Sequence, residues 1–478
     1  MKKLISIIIL FMLTTLTVVG MNDDLLNMKF PDMPEIDMPG TETETDCECT
    51  CKDGCTCTCT CDCEPQPIIN EDIGTEDPKV SPYVPDTTSL DNYDVSIYTE
   101  NDYIIAKTSS RQLGKVSVGS DAVDLFKKAI DAVPDGGSLY IDSGKYLLSA
   151  KHKFALNPDG SNIFYTCLPV LDKSMHIYGA GEDKTILQMM PGQRSPDRHV
   201  AMMLIRATKA YDLGYEDFEV AYLTLDGNRA AQTDGQPHDG EGLILVGSLR
   251  TNGNYHDLKF INSWGSGIYL GNNGSGSGTD EIVSNIYSEN CGAEAIILDT
   301  CHNSQVRDSE SWNCREGLVL YGNDDFRERS QDGITASNIR TDSQVTVWQV
   351  NDFIIENLNM DCTKTTGSYG FMVRDGTGTI KDSTLKSNKN RHDSTGGATY
   401  LIEQAHVTFD NCIVEGYYGI HAIGQSYAEV TNCKLVTTGG CYVTVDPFDP
   451  VSSTIKVSNS ECSGKKSDIQ AGSNLIEI

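Results

Sequence analysis

The sequence predicts an all-β protein: a single-stranded right-handed parallel β-helix with a short N-terminal capping helix, preceded by a disordered Cys-rich tail. Three observations lead there. Two short strand signals recur together at one period of about 25 residues. The stretches between them are Gly, Asn and Asp turns with no run of 3.6-residue periodicity. The N-terminal part beyond residue 20 is acidic and rich in cysteine and proline, and its Cys-rich run is almost devoid of apolar side chains.

In chain order, Lys2 and Lys3 precede an uncharged apolar run from Leu4 to Val19 that closes on small residues. That is the grammar of a secretory signal, so residues 1–20 read as a signal peptide and the body as secreted or held at the cell surface. A membrane enters only through this segment, if it stays uncleaved as an anchor.

Residues 21–110 read as an acidic, Cys- and Pro-rich linker. Residues 21–100 carry 20 Asp and Glu against Lys29, Lys52 and Lys79, a net −17 of the chain's −31. Such a balance excludes a basic phosphate-binding surface, and with it nucleic acid as the partner. Within the linker stand Cys47, Cys49, Cys51, Cys55, Cys57, Cys59, Cys61 and Cys63. In an exported chain disulfides, within the run or linking one copy to another, are the usual fate. A Zn²⁺ or Cu(I) thiolate cluster is the competing chemistry, weakened by the absence of His and by acidic neighbours that raise thiol pKa values. A reduced spacer is the third state.

The β-helix domain is expected over 111–478. Ser120 is placed to cap a helix whose apolar positions Ala122, Phe126, Ala129, Ile130 and Val133 keep helical spacing, ended by Pro134, Gly136 and Gly137. A strand at Ser138–Ile141 follows. Further on, one strand signal opens on Asp257, Asn285, Asp308, Asn338, Asn357, Asp382, Asn411, Asn432 and Asn459, eight intervals over 202 residues. The other runs in step: Gly242-Leu-Ile-Leu, Gly267-Ile-Tyr-Leu, Ala295-Ile-Ile-Leu, Gly317-Leu-Val-Leu, and equivalents at Gln344, Gly370, Ala398, Gly419 and Gly440. Turns of this length stack about 4.8 Å apart, giving about 14 turns.

The stretch Gly119 to Val133, followed by Gly136-Gly-Ser-Leu-Tyr-Ile-Asp-Ser-Gly-Lys-Tyr146, resembles the capping helix and first turn of the pectate-lyase-like superfamily of right-handed parallel β-helix proteins. Asp142 stands where that superfamily usually has proline. Leu225-Asp-Gly-Asn228 and the G-I-x-L strands match further on, so the resemblance spans about residues 115–465. It implies the fold, and a polysaccharide as the kind of molecule acted on. The N-T-D, G-H-G and R-I-K motifs of its polygalacturonase-like members and the D-P-H of its epimerase-like members are absent.

Alternate residues of a strand share a face, so aligning the second strand signal stacks outward positions into columns. Tyr269, Tyr321 and Trp348 then flank Asp299 and Asp375, with Arg374 between the carboxylates and Glu403 and His421 beyond. Aromatic faces beside charged groups make a glycan-binding groove. Glycoside hydrolysis needs two carboxyl groups roughly 5–10 Å apart, and Asp299 with Asp324 or Asp325 is the pair expected one turn apart. A lyase would need a base and a cation, for which Arg374 beside Asp375 is the candidate. For Ca²⁺, oxygen ligands are offered by Asp239 and Glu241, joined by Asp226 or Asp234. Cys291 with Cys314, and Cys412 with Cys433, are expected as stacked free thiols. The function expected is an exported protein that binds an extracellular polysaccharide, neutral or cation-bridged, with its cleavage by a hydrolase or lyase left open; the alternative is a non-catalytic structural or adhesive surface protein.

Overall fold

The computed structural model describes residues 90–155, 163–195, 198–206, 217–233, 242–246, 252–271, 278–322, 333–364, 370–388, 397–440, 453–463 and 474–477. The signal segment and the cysteines from Cys47 to Cys63 lie outside the described residues.

Order begins before residue 111. Strands β1 (Val95–Glu100), β2 (Tyr103–Thr108) and β3 (Gln112–Ser117) form an antiparallel meander. Asn101 and Asp102 join β1 to β2 with φ of 47° and 64°, the paired left-handed residues of a two-residue hairpin. Val95, Ile97, Ile104 and Ala106 are buried, and β1 pairs in parallel with Gly137–Ile141 of the first coil. The linker expected to reach residue 110 therefore gives way to the domain earlier. Its acidity masked a short alternation of apolar residues.

Helix α1 (Val123–Ala132) packs Leu125, Phe126, Ala129 and Ile130 onto the core. Asp121, rather than Ser120, secures its start. Asp121 Oδ1 accepts from the Val123 and Ser149 amides at 3.1 Å each, while Ser149 Oγ donates to Oδ2 at 2.6 Å. One carboxylate thus ties the helix to the strand Gly144–Leu148. At the other end Lys173 donates to the Ile130 and Val133 carbonyls, a cation placed on the negative end of the helix dipole.

Beyond the helix the strands form three faces and pair in parallel, apart from the short strand His152–Ala155, which runs antiparallel to Ile163–Leu171. Sheet A runs from Gly137–Ile141 through Met175–Gly179 to Asn474–Glu477. Sheet B starts at Gly144–Leu148 and Thr185–Met189 and takes the second halves of long strands such as Phe218–Asp226 and Gly253–Ile261. Sheet C starts at Ile163–Leu171 and His199–Arg206 and continues through the second strand signal as far as Ile413–Ala422. Inward side chains such as Leu258, Phe260, Ile268, Leu298, Val345 and Phe409 fill one continuous core.

The corner from sheet A to sheet B explains the Asn and Asp series. All nine residues from Asp257 to Asn459 have φ between 44° and 56°, a region that Asn and Asp tolerate and bulkier residues avoid. Their amides hydrogen-bond from turn to turn: Asn338 Nδ2 donates to Asp308 Oδ1 at 2.7 Å, Asn357 to Asn338 at 2.8 Å, and Asn411 to Asp382 at 2.6 Å.

The residue after each corner faces inward, and its amide needs an acceptor where the sheet ladder breaks. The next turn supplies one. Leu358 N donates to Ser383 Oγ at 3.0 Å, Cys412 N to Cys433 Sγ at 3.3 Å, and Cys433 N to Ser460 Oγ at 2.9 Å. Cys412 and Cys433 thus occupy serine positions, and Cys291, Cys314, Cys412 and Cys433 are all free thiols in the buried corners.

Glu281 does the same task where sheet C meets sheet A. Its side chain is 1% exposed and accepts from Gly253 N at 3.1 Å. A Cβ at residue 253 would stand 2.3 Å from that carboxylate oxygen and 2.4 Å from the buried Tyr255 ring, so any larger residue would displace the acceptor. Burial, with Asp280 adding to it, pushes the Glu281 pKa well above the ordinary glutamate value. A folded-state pKa raised in this way contributes stability that is complete below the unfolded value and is lost as pH rises through the folded one. Glu281→Gln keeps an acceptor without the charge. It should leave Tm unchanged at pH 4 and raise it at pH 8, and an equal change at both values would refute this account.

Candidate functional site

The outer face of sheet C carries Tyr269, Asp299, Tyr321, Trp348, Arg374 and His421. From Tyr269 onward the register is the expected one. Tyr269, Ile297, Val319, Thr346, Met372, Tyr400 and His421 stack in one column, and Gly271, Asp299, Tyr321, Trp348, Arg374 and Ile402 in the next. Before Tyr269 the register differs by one residue. Gly242 pairs with Ser266, so Leu245, not Ile244, stands opposite Tyr269.

Asp299 ends its strand (Glu294–Asp299) at the edge of the face. Tyr269 Oη donates to Asp299 Oδ2. Beneath it, Gly271 leaves the space the pair needs: a Cβ there would come within 2.6 Å of the Asp299 Cβ and 2.9 Å of the Tyr269 ring. Burial pushes the Asp299 pKa up to about 6, against the pull of the hydrogen bonds from Tyr269 and Thr300. Thr300 follows with φ of 54°, a left-handed conformation that a β-branched residue adopts only under strain of about 1–2 kcal/mol. Its Oγ1 donates to the Asp299 carbonyl at 2.7 Å.

Tyr269 itself is no exposed platform. With Phe164, Ala201, Leu204, Ile297 and Val319 it forms a second apolar cluster on the outer side of sheet C, where it is 8% exposed. Its contribution is to hold Asp299. His421 is likewise buried, with the Tyr400 ring at 5.0 Å and Tyr418 at 6.1 Å.

Tyr321, Trp348 and Arg374 make the more open part of the column. The Tyr321 and Trp348 rings meet edge to face at 5.1 Å, the Arg374 guanidinium lies over the indole at 4.3 Å, and Arg374 Nε donates to Glu403 Oε2 at 2.6 Å. Stacked at one residue per turn, these side chains fix one another's rotamers and form a ladder of two rings and a guanidinium across successive strands.

Of the other expected groupings, some rest on residues outside the described ones and the rest are spread along the coil. Asp299 stands three strands from Arg374 and Asp375, which at about 4.8 Å per strand is about 14 Å, too far for one acid and base pair. Asp375 sits in a left-handed corner, φ 46°, its amide bonded to Ile402 O at 3.1 Å. Arg374 is already engaged by Glu403, so it does not serve a charge developing beside Asp299. Asp324 and Asp325 lie outside the described residues, as do Asp234, Asp239 and Glu241. Of the Ca²⁺ candidates, Asp226 is described, and its carboxylate is spent in a turn. It accepts from Gln188 at 2.6 Å, the Asn228 amide at 2.8 Å and Asn262 at 3.1 Å. Among the described residues no group of three or more His, Cys, Asp or Glu is arranged to hold a metal.

Two carboxylates escaped the sequence reading. Glu294 and Glu316 pair in register at the start of consecutive strands. Glu294 accepts from Arg315 and, at 2.7 Å, from Ser266 Oγ; Glu316 accepts from Thr346 Oγ1 at 2.6 Å. The signal was present as an acidic residue just ahead of the Ala295-Ile-Ile-Leu and Gly317-Leu-Val-Leu runs in consecutive repeats.

The fold is that of known parallel β-helix proteins. The Azotobacter vinelandii mannuronan C-5 epimerase AlgE4 A-module superposes with a TM-score of 0.56 at 13% identity, over 74% of this chain and 96% of the module. The AlgE6 A-module from the same organism gives 0.55 at 14% identity, over 75% and 96%. At such identity the likeness concerns the fold alone. No protein-family model and no curated protein matches the sequence.

Proposed function

We propose that the chain is an exported protein that binds an extracellular polysaccharide along the outer face of sheet C, with the polymer crossing the strands over Tyr321, Trp348 and Arg374. The observation that carries the reading is the Tyr321, Trp348, Arg374 and Glu403 stack. It offers sugar rings an aromatic face and their hydroxyl groups both a donor and an acceptor. The shared fold with modules named for a mannuronan epimerase supports a polymer of this kind. The net charge of −31 disfavours an unaided polyanion and favours a neutral glycan, or an acidic one bridged by cations.

Affinity electrophoresis through gels of neutral and acidic polysaccharides, the latter with and without Ca²⁺, tests this. Wild type should be retarded by at least one polymer, and Trp348→Ala should weaken retardation at least about tenfold. A wild type retarded by none of them overturns the proposal in favour of a structural or adhesive rod.

A second reading, chemical modification of the bound polymer, is favoured by Asp299. It is the half-buried carboxyl at the end of the strip, held by Tyr269, next to a strained backbone, and close to half protonated near pH 6. In that state it can give a proton to a leaving oxygen.

A further inference from the structure

The outer face of sheet B carries a feature that none of the readings above uses. On Ile282–Glu289, Tyr287 and Glu289 point outward; on the next strand, Gln305–Trp312, Glu310 and Trp312 do the same. Tyr287 stands opposite Glu310, and Glu289 opposite Trp312. The four make a checkerboard of two rings and two carboxylates. The rings lie on a diagonal of one turn and two residues, a Cα separation of about 8 Å.

Each ring bonds the carboxylate two residues along its own strand: Tyr287 Oη donates to Glu289 Oε2 at 3.2 Å, and Trp312 Nε1 donates to Glu310 Oε2 at 3.3 Å. Cations close both ends. Lys259, one turn before, lies 5.0 Å from the Tyr287 ring, and Arg340, one turn after, bonds Glu310 Oε1 at 2.8 Å with its guanidinium 6.0 Å from the Trp312 ring.

We infer that this checkerboard is a second glycan-binding strip, on a face different from the one assigned above, for the same neutral, hydroxyl-rich polysaccharide. The inference rests on that assignment. Two half-exposed rings at a fixed diagonal offer stacking surfaces to two sugars of one chain, and each carries beside it a carboxylate oxygen able to accept from sugar hydroxyls. Charge complementarity selects the ligand. Glu310 is balanced by Arg340, and Lys259 by Asp183 at 3.1 Å, which leaves the Glu289 charge and no surplus cation. Such a surface repels polyanions and acidic peptides, and its two rings at a fixed diagonal, each with an accepting oxygen beside it, match a chain of neutral hydroxyl donors. Two strips on adjoining faces let one rod bind two stretches of polymer, and their affinities reinforce each other through avidity.

The test is a pair of variants of the full chain, run in gels of the neutral polysaccharide that retards wild type. Tyr287→Ala with Trp312→Ala should weaken retardation about tenfold or more, and Tyr287→Phe with Trp312→Phe should restore most of it, since Phe keeps the ring. Far-UV circular dichroism and Tm of both variants separate lost binding from lost folding. Full retention by a folded alanine variant, while Trp348→Ala loses binding, overturns this strip alone and leaves the sheet C reading standing. A phenylalanine variant as weak as the alanine one also overturns it, because the rings then do not act as stacking surfaces. Wild type retarded by no polysaccharide overturns both.

Discussion

Asp299→Asn is expected to lower turnover of the bound polysaccharide by about 10²–10⁴-fold, the usual contribution of a positioned acid, while its retardation in the same polymer gel stays close to wild type. The reason is local. The carboxyl ends its strand in a half-buried position, Gly271 clears the space beneath it, and Tyr269 holds one oxygen. Burial has raised its pKa to about 6, so the protonated form that donates to a leaving oxygen is abundant below that value and vanishes above it. The rate should therefore fall as pH rises through about 6, and the Asn variant should lose that limb.

Tyr269→Phe gives a second, independent check. Its phenol bonds the ionised carboxylate and so holds the pKa down. Without it, the limb should move to higher pH. A limb that moves to lower pH, or an Asn variant with wild-type turnover, would remove Asp299 from the chemistry and leave a binding protein.

Phe409→Ala is expected to cost about 3–5 kcal/mol, the usual range for a fully buried aromatic residue. Phe409 is 0% exposed and packs in register between Ile380 and Val430 of the neighbouring turns. Because each turn of a solenoid touches only its neighbours, the loss should be felt locally. Hydrogen exchange should show lost protection in Thr377–Lys381, His406–Asp410 and Tyr427–Thr431, while Gly137–Ile141 and Met175–Gly179 keep theirs. Uniform loss of protection in all strands would mean that the coil unfolds as one cooperative unit, contrary to this account.

Much of the fold was legible because its turn chemistry is written residue by residue. Asp257 to Asn459 mark a corner whose left-handed backbone admits few other side chains, and the strands that follow alternate with a period of two. From Tyr269 to His421 those two facts set the columns without further information. The mismatch at Gly242 arose because a glycine was matched to a glycine, where the backbone places Ser266. Repeat counting also separates Asp299 from Arg374 and Asp375 by three turns, so their distance was available to arithmetic. The hairpin of β1 and β2 was less legible: its Asn101-Asp102 turn is a recognisable signal, but the acidic segment around it suppressed it.

By itself, then, the sequence determined the period, the corners, the right-handed parallel coil and the outward columns, since all of these depend on residues close to one another in the chain or separated by one repeat. Only the tertiary structure decided which of the outward residues meets solvent. Tyr269 and His421 occupy outward positions yet are buried, and Asp226 sits in an acidic neighbourhood yet spends its oxygens on a turn. Asp299 and Glu281 have raised pKa values that no motif announces. Burial and the loss of water around a carboxyl depend on what packs over it from segments distant in sequence, and that desolvation, more than residue type, separates an acid able to hold a proton near pH 6 from an ordinary surface carboxylate.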